Sequence, residues 1–106
     1  MNRAELTTES GIWSLAYKCP ACGIFHCVPV SADGIKHPGE WVWNNSLSSP
    51  TLTPSVRHFV TRTDGKRDTV CHYFIRGGRI DFCADSPHRL AGQVVDLPAI
   101  ESSVPN

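Results

Sequence analysis

At 106 residues the chain has the length of one domain, enough for a modest core but short enough that a bound metal or partner would add appreciably to its stability. Ten Lys and Arg balance ten Asp and Glu, so net charge argues against nucleic acid and membrane surfaces as partners; the excess between residues 57 and 89, seven basic against four acidic, reads as a solvated face. No stretch reaches the apolar length of a spanning helix and Met1-Asn2-Arg3-Ala4-Glu5 leads into no signal-peptide core, so a cytoplasmic location is expected, where five cysteines point to metal ligation or burial rather than disulfides.

Residues 1–10 are polar and read as a flexible N-terminus, with Ala4-Glu5-Leu6 able to add a helical turn. Gly11 to Tyr17 alternates with Trp13, Leu15 and Tyr17 on one side, which predicts a strand. It enters Cys19-Pro20-Ala21-Cys22-Gly23 and leaves through Ile24 to Val30, a second strand whose Pro29 suits a sheet edge. Two strands joined by C-P-x-C-G make a zinc knuckle, because the turn aims both thiolates at one cation. A redox pair would sit at a helix N-terminus, and here β-branched and aromatic residues follow instead.

Turn signals at Ala32-Asp33-Gly34 and His37-Pro38-Gly39 precede Trp41 and Trp43, which alternate around Val42 before Asn44-Asn45. The run Ser46 to Ser55 is rich in hydroxyls and prolines and reads as an ordered loop or an edge. Val56 to Thr61 is a strand and Asp64-Gly65-Lys66 its turn.

Next come two apolar-rich runs, Cys71 to Arg76 and Arg79 to Cys83, meeting at Gly77-Gly78, which supplies the positive φ angles of a tight hairpin turn. Pairing Arg76 with Arg79 sets Ile75 against Ile80 and Tyr73 against Phe82 on an apolar face. His72, Phe74, Arg76, Arg79, Asp81 and Cys83 lie on the other. Beyond the hairpin, Asp85 or Ser86 caps a short helical turn with Pro87 at its first position and Gly92 at its exit; Val94 to Leu97 is a last strand. The fold class is therefore mainly β, a small antiparallel sheet domain over residues 11–98 with a zinc knuckle and one short helical turn, followed by a tail at 99–106.

Two thiolates leave a zinc ion short of donors. Adjacent strand residues point to opposite faces, so only one of Cys71 and His72 can join Cys19 and Cys22. Cys71 and His88 both lie at the hairpin's open end, which makes Cys19, Cys22, Cys71 and His88 the expected Zn2+ ligands; His72 with Cys83, opposite each other on the other face, is the alternative pair. His26 and Cys27 are carried away from the knuckle by their strand and read as packed or solvated, while His37 and His58 read as surface residues.

The ordered set of motifs resembles a known family. Cys19-Pro20-x-Cys22-Gly23, Trp41-x-Trp43-Asn44, Pro50-Thr51-x-x-Pro54-Ser55, Cys71-His72-x-Phe74-Ile75-x-x-Gly78-x-Ile80-x-Phe82 and Asp85-x-x-His88-x-Leu90-Ala91-Gly92 together are similar to a family of small uncharacterised phage and prophage proteins, sometimes mislabelled ammonia monooxygenase. This sequence departs from that pattern with Asn45 in place of Gly, Ser86 in place of Cys and Cys83 in place of an apolar residue. The resemblance implies a phage context, hence a host cytoplasm and a host or phage protein as partner, and it carries no activity.

Neither an H-E-x-x-H nor a zinc-deaminase signature is present, nor a G-x-S-x-G elbow or a phosphate-binding loop. The first functional expectation is thus a zinc-stabilised binding module, with Trp41, Trp43, Asn44 and Thr51 as its interaction surface because large amphipathic rings and hydroxyls share one loop. The alternative is a zinc-dependent hydrolase with an open metal position and His88 or Asp85 as acid-base.

Overall fold

A computed structural model describes residues 1–31 and 33–100 of the chain. Eight strands follow one another: β1 (Glu5–Glu9), β2 (Ile12–Lys18), β3 (Phe25–Pro29), β4 (Val42–Trp43), β5 (Leu52–Thr61), β6 (Arg67–Arg76), β7 (Arg79–Phe82) and β8 (Val94–Asp96). They form two antiparallel sheets in sequential order, β1-β2-β3 and β4-β5-β6-β7-β8. The mainly β class expected from the sequence is the observed one, and no helix occurs among the described residues. None therefore is long and apolar enough to cross a membrane.

The β6–β7 hairpin has the register its sequence dictates, with Arg76 against Arg79, Ile75 against Ile80 and Tyr73 against Phe82. Its inner face, Cys71, Tyr73, Ile75, Ile80 and Phe82, is buried. Gly78 (φ 80°) is held there by crowding as well as by conformation, since a Cβ would meet the Ser49 Cα at 3.2 Å and the Ser48 carbonyl oxygen at 3.3 Å. The Gly77 and Gly78 N–H groups donate to Thr51 Oγ1 (2.8 Å) and the Pro50 carbonyl (2.9 Å), so the hairpin turn anchors the segment that leads into β5.

Three elements differ from the sequence reading. Residues 5–9, expected to be flexible, form β1, all of whose side chains are exposed. No amphipathic pattern could announce it; the positive φ of Ser10 and Gly11 turns the chain, and β2 supplies the ladder from Glu5–Ala16 to Glu9–Ile12. The hydroxyl- and proline-rich run is a strand from Leu52 onward, because Leu52 is buried against Ile75 while Pro54 sits at an irregularity in the ladder and Pro50 precedes the strand. The expected helical turn is a pair of tight turns instead, closed by Ala91 N–H to His88 O (3.1 Å) and Gln93 N–H to Leu90 O (3.0 Å). Most of the expected tail, 101–106, lies outside the described residues.

The two sheets meet through their inner faces. Leu15, Tyr17, Cys19, Val28 and Val30 from the first pack against Val56, Cys71, Tyr73, Ile75 and Phe82 from the second. At the centre the Tyr17 and Tyr73 hydroxyls lie 2.7 Å apart, and His58 Nε2 is 2.8 Å from the Tyr73 hydroxyl. Burial pushes both tyrosines well above their ordinary range, so this is a neutral hydrogen-bonded bridge inside the core. Replacing Ile75 by Ala should cost ~2–5 kcal/mol of unfolding free energy through loss of buried volume. Val94→Ala, on exposed β8 surface, should stay within ~0.5 kcal/mol, and denaturant titration of both variants checks the contrast.

Candidate active site and metal centre

β6 carries two adjacent residues of different chemistry, and its pleat sends them to opposite faces. Cys71 points inward and is fully buried. His72 points outward, its main chain clamped by Ser86, whose Oγ accepts the His72 N–H (3.0 Å) and donates to the His72 carbonyl (2.7 Å). Ser86 is itself buried.

On the inner side, ligand atoms of Cys19, Cys22, His26 and Cys71 all lie within 4.8 Å of one another. The C-P-x-C-G stretch makes a tight turn: the Gly23 N–H donates to the Cys19 carbonyl (2.9 Å), and the Cys22 N–H points at Cys19 Sγ (3.4 Å). Cys19 and Cys71 sulfurs are 4.0 Å apart, close to the ~3.8 Å edge of a tetrahedron with zinc–sulfur bonds of ~2.3 Å. The hydrogen bond from Cys71, ahead of the opposing cost of burial, draws the Cys19 thiol well below its usual range; the same contact and burial raise Cys71, and burial followed by Cys19 raises Cys22. Each thiolate opposes ionisation of its neighbours, and a cation among the three sulfurs would favour it. The group could hold a metal ion.

His26, expected to be carried away from the cluster by β3, lies inside it. In fact His26, Val28 and Val30 form the inward set of that strand, opposite Tyr17 and Leu15, and a strict two-residue count back from Val30 finds it. Its ring stacks on His58 at 3.9 Å, and its Nε2 is enclosed without a hydrogen-bond partner. His58 is not a surface residue; burial and the neighbouring His26 push its imidazole down to about 4. His88 does reach the centre, with Nε2 3.4 Å from Cys71 Sγ. Its Nδ1 accepts the Leu90 N–H (3.2 Å), which leaves the ring proton on Nε2, aimed at the sulfur. Cys27 is exposed and apart, and His37 is an exposed partner of Asp33.

On the outer side, His72 Nδ1 is 2.9 Å from Asp85 Oδ1, and its Nε2 is 3.3 Å from Ser55 Oγ. Donation of the Nδ1 proton to Asp85 leaves the Nε2 lone pair facing the serine hydroxyl, which is the arrangement by which an imidazole accepts a proton from an attacking alcohol. The hydrogen bond from His72 holds the Asp85 carboxyl below its usual range, with Arg57 Nη2 3.6 Å away adding to the effect. Asp85 stands more open than a typical triad aspartate, its side chain 53% exposed.

Ser55 reaches His72 because of an irregularity. Between the pairs Leu52–Ile75 and Val56–Tyr73, β5 advances four residues while β6 advances two, and the surplus backbone turns the serine toward the neighbouring strand. Sequence reading placed Ser55 in a motif but could not see this shift, so the serine went unassigned.

The residues expected to form an interaction surface are tied into the same region. Trp41 Nε1 donates to the Ser55 carbonyl (3.1 Å), and Trp43 Nε1 to the Ser46 carbonyl (2.9 Å). Both rings are half-buried and pack against the core. Asn44 Oδ1 accepts the N–H groups of Ser46 (3.2 Å) and Thr51 (3.0 Å), and its Nδ2 donates to the Ser49 carbonyl (3.0 Å).

Fold and site define a class: a small two-sheet β protein with a Ser-His-Asp row, drawn from β5, β6 and the turn after β7, on the outer side of β6 and a Cys/His cluster on its inner side. The chain matches over residues 2–83 the family model described as bacterial ubiquitination-like system serine protease (BubE), and it belongs to that family. The match spans Ser55, His72 and the whole inner cluster, and stops two residues before Asp85. Neither a curated protein nor a solved structure matches the chain.

Asn44→Ala removes the acceptor of two backbone N–H groups, and it should lower stability by ~1–2 kcal/mol in denaturant titration. A change below ~0.5 kcal/mol would mean that this side chain does not organise the loop.

Proposed function

We propose that the protein is a serine hydrolase that cleaves a peptide, isopeptide or ester bond in a protein of a bacterial ubiquitination-like system. The observation that carries this is the Ser55–His72–Asp85 row, with contacts of 3.3 and 2.9 Å in the order nucleophile, base, orienting carboxylate. The description of the family as a serine protease supports it independently. In this reading Ser55 Oγ attacks the carbonyl carbon while His72 Nε2 takes the hydroxyl proton; His72 then gives that proton to the leaving amine or alcohol, and water releases the acyl group from Ser55 by the same route. Asp85 holds the ring in the tautomer that can accept, and Ser86 fixes the backbone of the base. Apo contacts near 3.3 Å are common for such pairs and shorten in the substrate complex.

We further propose that the inner cluster holds Zn2+ in a closed structural site of Cys19, Cys22, Cys71 and His26, with His88 donating its Nε2 proton to the Cys71 thiolate. The enclosed, unpartnered Nε2 of His26 and the donor geometry of His88 support this division. A metal-bound water with Asp85 or His88 as acid-base fits less well, because Asp85 is engaged with His72 and His88 with Cys71. Thiolate ligands also make a bound water less acidic than an all-imidazole site would. A role as a binding module for a host or phage macromolecule leaves the row of Ser55, His72 and Asp85 without a purpose.

A fluorophosphonate probe should label Ser55 and only Ser55, as read by peptide mass mapping. Ser55→Ala and His72→Ala should abolish labelling, and Asp85→Asn should slow it by roughly 10²-fold or more, all with unchanged amide spectra. Labelling of another residue, or full labelling in His72→Ala, would sink the hydrolase reading.

The metal reading has its own test. One zinc per chain should be found by elemental analysis, lost in Cys19→Ser, Cys22→Ser and Cys71→Ser and kept in Cys27→Ser. Chelation should collapse the amide spectrum, since structural zinc contributes ~10 kcal/mol or more in small domains. Stoichiometric zinc in His26→Ala alongside its loss in His88→Ala would exchange the roles of the two histidines.

A further inference from the structure

A fourth side chain joins the outer row. Cys83 follows β7, and its backbone is fixed on both sides, its N–H donating to the His72 carbonyl (2.9 Å) and its carbonyl accepting the Ser86 N–H (3.1 Å). The result is that a ring nitrogen of His72, the Cys83 sulfur and a carboxylate oxygen of Asp85 lie within 4.8 Å of one another. Nitrogen, sulfur and oxygen donors at that separation suit Zn2+ and similar soft divalent cations. This group is separate from the inner cluster, because Cys71 and His72 are neighbours on opposite faces of β6.

We propose that His72, Cys83 and Asp85 form a second, exchangeable site for a divalent cation of the Zn2+ kind, and that its occupation switches off Ser55. The inhibitory part rests on the hydrolase reading. The logic is one of tautomers. A cation on Nδ1 takes the place of the proton shared with Asp85, so the remaining ring proton of a neutral imidazole must sit on Nε2, where it cannot accept one from Ser55. A cation on Nε2 occupies the base directly. Either way the row is broken without any movement of the fold.

Charges around the site set its strength. Arg57 shares Asp85 at 3.6 Å, and Arg76 engages Asp81 at 3.2 Å, so part of the acidic charge near Cys83 is already neutralised. A single sulfur is present here against three in the inner cluster. The inner site therefore fills first, and the outer one exchanges with free metal.

The test starts from protein that already holds its inner metal and adds Co2+ or Zn2+ alone. A second equivalent of Co2+ should produce a thiolate-to-metal charge-transfer band that is missing in Cys83→Ser and Cys83→Ala. Zn2+ should stop fluorophosphonate labelling of Ser55, and the two Cys83 variants should keep the basal labelling rate while needing at least ~10-fold more Zn2+ for the same loss, the cost of a missing metal partner. A band that survives both substitutions, or none at the second equivalent, overturns the site. A Cys83-dependent band with labelling unaffected overturns the inhibition, as does a rate that rises with the second equivalent. If Ser55 fails to react before any metal is added, the hydrolase reading falls together with the inhibition, while the band still decides whether the cation binds.

Discussion

The pleat of β6 is the constraint on which the rest depends. Because successive residues of a strand face opposite ways, one stretch of chain gives Cys71, Tyr73 and Ile75 to the core and His72, Phe74 and Arg76 to the surface. A slip of one residue would exchange the two sets, placing an imidazole in the sulfur cluster and a thiol opposite Ser55. The register is therefore specified twice over: by the Gly77-Gly78 turn at one end and by the cluster around Cys71 at the other.

A domain of this size has few means of joining two sheets. Here the seam is polar at its centre, where the Tyr17–Tyr73–His58 bonds and the stacked His26–His58 rings lie beside the Cys19–Cys71 contact. Such a network stabilises only when every member is satisfied. His26 Nε2 has no partner in this arrangement, and the Cys19 sulfur and burial both oppose ionisation of Cys71. A single cation among them would answer both deficits and tie the cohesion of the sheets to the strand that carries the outer histidine.

Two segments with no strong secondary structure of their own flank the strands that carry Ser55 and His72. One is the 44–51 loop, held by Asn44 and by the hairpin turn through Thr51 and Pro50. The other is the turn at 83–86, held to β6 by Ser86 and the Cys83 N–H. A rigid hairpin thus serves as the template for both loops: the turn that carries Asp85 is bonded to it directly, and the loop bonded to its Gly77-Gly78 end leads into the β5 irregularity that turns Ser55 toward His72. This explains why the half-buried tryptophans and Asn44, which read in sequence like contact residues, spend their polar groups inside the chain.

Local chemistry alone determined several features. Gly77-Gly78 between apolar runs set the hairpin and its pairing, C-P-x-C-G set a tight turn, and the alternation from Trp13 to Tyr17 set a strand, because each signal acts over a few residues. The same reasoning brought Cys71 and His88 to the knuckle and left His26 out, since ligands on different strands are joined by packing and not by spacing. β1 escaped because its strand form comes from pairing with β2, with no buried face to leave a pattern. Ser55 escaped for a related reason: its approach to His72 depends on surplus backbone in the β5–β6 ladder, and the contact with Asp85 on a turn folded back over β6. Sequence specified which groups were available and which way each strand would face, whereas only the tertiary structure decided which of them meet, because a row drawn from a ladder irregularity, a strand and a returning turn has no period along the chain.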